Sequence, residues 1–126
     1  MQIGFNQNIR NYPQFGAVIR GNGAGRVLTN MSEKNKTKFE ELEKSQKENP
    51  VNIELHNNSK DYSKLRAVIY APSDANQSIE SREQKWFQSY TGFLKSCIKQ
   101  ANSMNAKYEA QKEVEAYVAK RLADQT

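Results

Sequence analysis

The sequence predicts an α+β fold: a small antiparallel sheet of about four strands, covered by a central helix and a long C-terminal helical region. Three patterns carry that reading. Val51, Ile53 and Leu55 alternate with Asn52, Glu54 and His56, the period of a half-buried strand. Leu28, Met31, Asn35, Phe39, Leu42 and Gln46 recur at three- and four-residue steps, the period of a helix with a narrow apolar stripe. Residues 84–108 are two-faced. At about 100° per residue, Lys95, Lys99 and Lys107 fall on the side of Lys85. Trp86, Phe87, Tyr90, Phe93, Leu94, Cys97, Ile98, Ala101, Met104 and Tyr108 fall opposite. The expectation is one buried face and one basic face in water.

Taken in order, residues 1–24 hold two strands and a glycine-rich turn. Ile3 and Phe5 alternate with Gln2 and Gly4, and residues 15–20 form a second apolar run before the glycines break it. A helix is expected over 25–48. Asn30 with Glu33 three residues on reads as a capping box, and Asn49-Pro50 is the stop. Residues 51–70 read as a hairpin with a long polar turn at 57–64. Residues 71–77 form a Pro- and Ser-containing linker. Ser81 with Gln84 reads as a second capping box, opening a helical region over 80–123. The predicted core includes Ile3, Phe5, Val18, Leu28, Phe39, Leu42, Val51, Ile53, Leu55, Leu65, Ile69, Trp86, Tyr90, Leu94, Cys97 and Ile98.

Beyond Tyr108 the apolar phase changes. Val114, Tyr117, Val118 and Leu122 cluster on a face rotated by more than about 90° from the first. Either the helix breaks near Asn102 to Asn105, or it continues and its end packs on something else. The stripe is a candidate oligomer face.

The 126 residues suit one domain able to bury a core without disulfides or metals. The apolar fraction of 37% is low, so the core is modest and the surface extensive. A net charge of +5 favours anionic partners, or solubility alone. One cysteine, Cys97, excludes an internal disulfide and suits a reducing compartment. The first ten residues have no apolar signal core and no run is long enough to span a bilayer, so the expected location is cytoplasmic.

Little here reads as catalytic machinery. Arg20, Gly21, Asn22, Gly23, Gly25 and Arg26 form a candidate anion-binding turn, because backbone N–H groups and two arginines can cradle a phosphate. The segment is neither a Walker A loop nor a dinucleotide fingerprint, and Asn-Gly is also an ordinary turn signal. His56 is the only histidine, which rules out a His-rich metal site, and no metal or cofactor is expected. A Cys97–His56 dyad would draw its nucleophile from a buried helix face. The stripe of Lys85, Lys95, Lys99 and Lys107 could track phosphates, but aromatics turned into the core would offer no surface for bases.

The leading reading is therefore a small non-catalytic binding or inhibitor module for a protein or a small phosphate-bearing partner. Nucleic-acid binding is the alternative. A metal-independent RNase or phosphoesterase using Arg20, Arg26, His56 and a Tyr comes third, and requires His56 close to the arginines.

Overall fold

The computed structural model describes residues 18–72 and 79–125. The expected first strand at Ile3 and Phe5 and most of the 71–77 linker lie outside them. The element order is β1 (Val18–Arg20), α1 (Ala24–Leu28), α2 (Glu33–Ser45), β2 (Asn52–Asn57), β3 (Leu65–Tyr70), β4 (Glu80–Glu83) and α3 (Tyr90–Asp124). The four strands lie in the order β1-β2-β3-β4. The fold is α+β, but the sheet is mixed. β1 runs parallel to β2, with Val18 opposite Ile53 and Arg20 opposite Leu55. A parallel pair needs a crossover, which α1 and α2 supply.

The hairpin is as the alternation dictates. Ile53 faces Ile69 and Leu55 faces Ala67, and all four are fully buried. Their shared face carries the helices, with α2 packed on α3 and α3 on β2 and β3. Phe39 from α2 and Phe93, Leu94, Cys97 and Ala101 from α3 complete the core. The long turn is organised by Asp61, whose Oδ1 accepts from the Ser63 N–H and hydroxyl.

Two helix boundaries differ from expectation. The single helix over 25–48 is two helices. Thr29 Oγ1 donates to the Arg26 carbonyl at 2.6 Å, ending α1, and Ser32 rather than Asn30 caps α2 by accepting from the Asn35 N–H. Asn49, next to the proline, ties three elements together. Its Nδ2 donates to Gln46 and to Asn102 of α3, and its Oδ1 accepts from the Val51 N–H. Asn102 is thus a tertiary anchor inside a continuous helix, not a break.

The larger correction falls at 80–89. Residues 80–83 form an edge strand, paired antiparallel with β3 through Ile69–Glu80 and Arg66–Glu83. Glu-Ser-Arg-Glu has no apolar residue to mark it as a strand, while Ser81 and Gln84 imitate a helix start. Gln84 instead closes the sheet edge. Its backbone N–H donates to the Leu65 carbonyl, its Oε1 accepts from the Leu65 N–H, and its Nε2 donates to the Gln88 carbonyl. The helix starts only at Tyr90, capped by the Ser89 hydroxyl accepting from the Gly92 N–H. Trp86 and Phe87 consequently lie in a turn, 84% and 66% exposed, and are not core residues. Lys85 is likewise off the helix.

α3 runs unbroken for 35 residues, about 50 Å at the usual rise. Its first four turns bury Phe93, Leu94, Cys97 and Ala101, with Tyr90, Ile98 and Met104 packed at the margin. From residue 109 to residue 125 every position is exposed. The phase change at Tyr108 therefore marks where the helix leaves the body.

These placements separate Leu94 and Trp86, which the sequence put together in the core. Leu94→Ala should lower stability by about 2–5 kcal/mol, as large-to-small core changes do. Trp86→Ala should stay within about 0.5 kcal/mol, as exposed changes do. Urea melts of the two variants check this; a Trp86 loss as large as that of Leu94 would place the ring in the core.

Candidate functional site

The glycine-rich turn is explained by close packing. A Cβ on Gly21 would stand 2.5 Å from Cε1 of His56 and 2.9 Å from the Leu55 carbonyl oxygen. Gly23 has φ +74° and faces Asn57, whose Oδ1 would lie 2.5 Å from an added Cβ. The turn lets the chain leave β1 alongside β2, and the Asn57 N–H donates to the Asn22 carbonyl. The two arginines are not brought together by this turn. Arg20 donates twice to Glu43, at 2.8 and 2.9 Å, and lies over the Phe39 ring. Arg26 is exposed on α1 and does not line the small cavity beside Arg20, where Glu40 does. Gly25 has open space around its Cα, and the five residues of α1 give it no strong positive end.

His56 lies on the opposite sheet face from Arg20, because Arg20 shares its side with Leu55. Its Nε2 meets Glu54 Oε1 at 3.0 Å, and Tyr70 donates its hydroxyl to Glu54 Oε2 at 2.6 Å. Burial, aided by that carboxylate, raises the Tyr70 pKa. The Arg20, Arg26 and His56 convergence needed for phosphoester cleavage does not form. Cys97 is sealed in the core, where burial pushes its thiol up to about 12, so a reactive thiolate is not available. Among the described residues no three His, Cys, Asp or Glu side chains gather to hold a metal. No described helix is long and apolar enough to cross a membrane.

A different cluster does form where α2 and α3 begin. A groove of about 500 Å³ opens between the two helix starts and the turn that precedes α3. Lys38 of α2, Lys64 at the end of the hairpin turn and Lys95 of α3 line it, with Ser32, Ser89 and Tyr90 between them. No carboxylate lines it, and among the described residues none of the three lysines is ion-paired. Lys64 Nζ donates to the Trp86 carbonyl at 3.4 Å, which places the Trp86-Phe87 turn at the groove edge.

That turn is held from behind. Gln88 N–H donates to the Lys85 carbonyl, Gln88 Oε1 accepts from the Lys85 N–H, and Gln88 Nε2 donates to Ser96. The two rings stand edge to face at 5.4 Å, with Lys85 Nζ 6.0 Å from the Phe87 centroid. Sequence periodicity missed this pair because the rings fit the helical phase of the core stripe. The available signal was Ser89, three residues before Gly92, as an alternative cap.

Lys99 and Lys107 line a second groove of about 450 Å³ with Arg82, Gln100 and Ser103, and Glu80 at one side. The candidate oligomer face, Val114, Tyr117, Val118 and Leu122, is exposed on the projecting part of α3. No protein-family model, curated protein or solved structure matches the chain.

The partition of the arginines has a measurable consequence. Arg20→Ala should lower stability by about 1 kcal/mol, through the lost Glu43 pair and the lost cover over Phe39. Arg26→Ala should stay within about 0.5 kcal/mol. Equal losses in urea melts would refute the distinction.

Proposed function

We propose that the protein is a non-catalytic binding module for a phosphate-bearing partner, and that the groove between the starts of α2 and α3 is its binding site. The observation that carries this is the groove's charge. Three lysines from three separate elements face one concavity with no carboxylate among its lining residues. Surface lysines ordinarily sit among acids, as Lys36 does with Glu33 and Lys112 with Glu109. An unneutralised concave cluster concentrates anions. Phosphate suits it because ammonium groups act on phosphate as point charges and need no fixed fork geometry.

Tripolyphosphate at millimolar concentration should raise the melting temperature, because a ligand that binds only the folded state stabilises it. Lys64→Ala with Lys95→Ala should abolish the shift, and Arg26→Ala should leave it intact. A shift lost with Arg26 and kept without the two lysines would return the site to the glycine-rich turn.

A second surface supports self-association. Val114, Tyr117, Val118 and Leu122 form an apolar stripe on a helix that has left the body, and a second copy of the same helix offers the matching face. Glu109, Lys112, Glu113, Lys120 and Arg121 along the same stretch give mixed charge for such pairing. Light scattering should report a dimer that Tyr117→Glu with Val118→Glu converts to a monomer. A monomer at high micromolar concentration in the unaltered chain would refute it.

A further inference from the structure

The basic groove does not stand alone. Its edge carries two large aromatic rings that do nothing for the core, on a turn fixed by hydrogen bonds from Gln84 and Gln88. Exposing a tryptophan at 84% forgoes the burial that such a ring normally supplies. The backbone of the turn is tied at both ends, by Gln84 Nε2 to the Gln88 carbonyl and by the Lys85 N–H to Gln88 Oε1. The rings stand edge to face and remain 84% and 66% exposed, with Lys85 Nζ over the Phe87 ring, so most of the Trp86 surface is open to solvent.

From the groove, charge continues along α3. Lys95, Lys99 and Lys107 sit at four- and eight-residue steps, so they rise about 18 Å along the helix while winding about 120° around it, from the first groove to the second. Ser103 fills the intervening position, and Arg82 of β4 lines the same second groove. The Glu80 carboxylate at its side accepts from Gln100 Nε2. The result is a cationic track with aromatic rings at one end.

We propose that this groove and track take single-stranded nucleic acid, with bases stacked on Trp86 and Phe87 and phosphates along Lys64, Lys95, Lys99 and Lys107. The assignment rests on the phosphate-binding function above and names the ligand class for the same site. Stacking rings beside a lysine track are the two parts that sequence-tolerant single-strand binding requires. An acidic peptide would use the lysines but not the open ring faces. A duplex keeps its bases stacked inside and leaves the rings without a partner.

The chain's only tryptophan is Trp86, so its fluorescence reads stacking directly. The experiment titrates the full chain with a twelve-residue oligothymidylate, the matching oligouridylate, a duplex of the same length, polyglutamate and tripolyphosphate. Anisotropy of labelled oligonucleotides runs in parallel with the fluorescence. Either single strand should quench Trp86 and bind more tightly than the duplex or polyglutamate. Trp86→Ala should weaken single-strand binding by about tenfold and leave tripolyphosphate binding unchanged. Phe87→Ala should weaken it less, and Trp86→Phe should restore part of it. Lys95→Ala with Lys99→Ala should weaken both ligands and flatten the salt dependence of oligonucleotide binding. Circular dichroism checks that each variant is folded. If tripolyphosphate binds but neither single strand quenches Trp86, the ligand class is wrong and the phosphate site stands. If no phosphate-bearing ligand binds, both fail. Polyglutamate or duplex binding as tight as the single strand, with the same dependence on Trp86, would overturn the assignment in favour of that partner.

Discussion

The contact on which the rest depends is the packing of Phe93, Leu94, Cys97 and Ala101 against the inner face of the hairpin. These four residues and Ile53, Leu55, Ala67 and Ile69 are fully buried together. Their burial is the dominant favourable term available to so polar a chain. It also fixes where α3 lies. With α3 placed by this seam, Asn102 reaches Asn49, Arg82 donates to Gln100 at 2.7 Å, and the end of α2 is held. The helix start is pinned over the hairpin turn, where the Tyr90 hydroxyl donates to the Ser63 carbonyl. The basic groove exists because two helices and a hairpin turn meet at that point.

The seam also separates two surfaces. Only about four turns of α3 can touch a sheet of strands six residues long or shorter. A helix of 35 residues must then leave the body, and its later apolar residues cannot share the core. Both features follow from one mismatch of length. The aromatic turn and groove lie at the helix start, and the apolar stripe lies near its far end. A partner at one end need not compete with a partner at the other.

How much of this was legible in the sequence follows from what kind of signal each element leaves. The hairpin was legible because Val51, Ile53 and Leu55 alternate with polar residues, and one face of it is buried. The inner face of α3 was legible from Phe93, Leu94 and Cys97 for the same reason. β4 was not, since Glu80, Ser81, Arg82 and Glu83 pair through backbone groups at an edge and bury little. Periodicity sees side chains and is blind to a strand defined by its ladder. That one miss propagated: taking residues 80–89 as helix put Trp86 and Phe87 on the core stripe and removed the main argument for a base-stacking surface. The groove lysines were individually visible, but nothing in their spacing brings Lys38, Lys64 and Lys95 together. Only the crossover of α2 and the start of α3 do that.

The glycines and the lysines give opposite lessons about local motifs. Gly21 and Gly23 have the composition of a phosphate loop, yet His56 and Asn57 account for them, and Glu43 already neutralises Arg20. The lysines have no motif, yet their arrangement is the one that folding alone does not explain. Three like charges in one concavity repel each other, more so at low ionic strength; Asp61 offsets Lys64 from outside the groove, and no carboxylate lines the groove itself. Lys64 is half-buried there, held to the Trp86 carbonyl rather than extended into water. Replacing any of the three with a neutral polar residue would remove repulsion without opening the core. On the proposed function, a bound polyanion would supply countercharge to this cluster, offsetting a repulsion that the fold itself does not require.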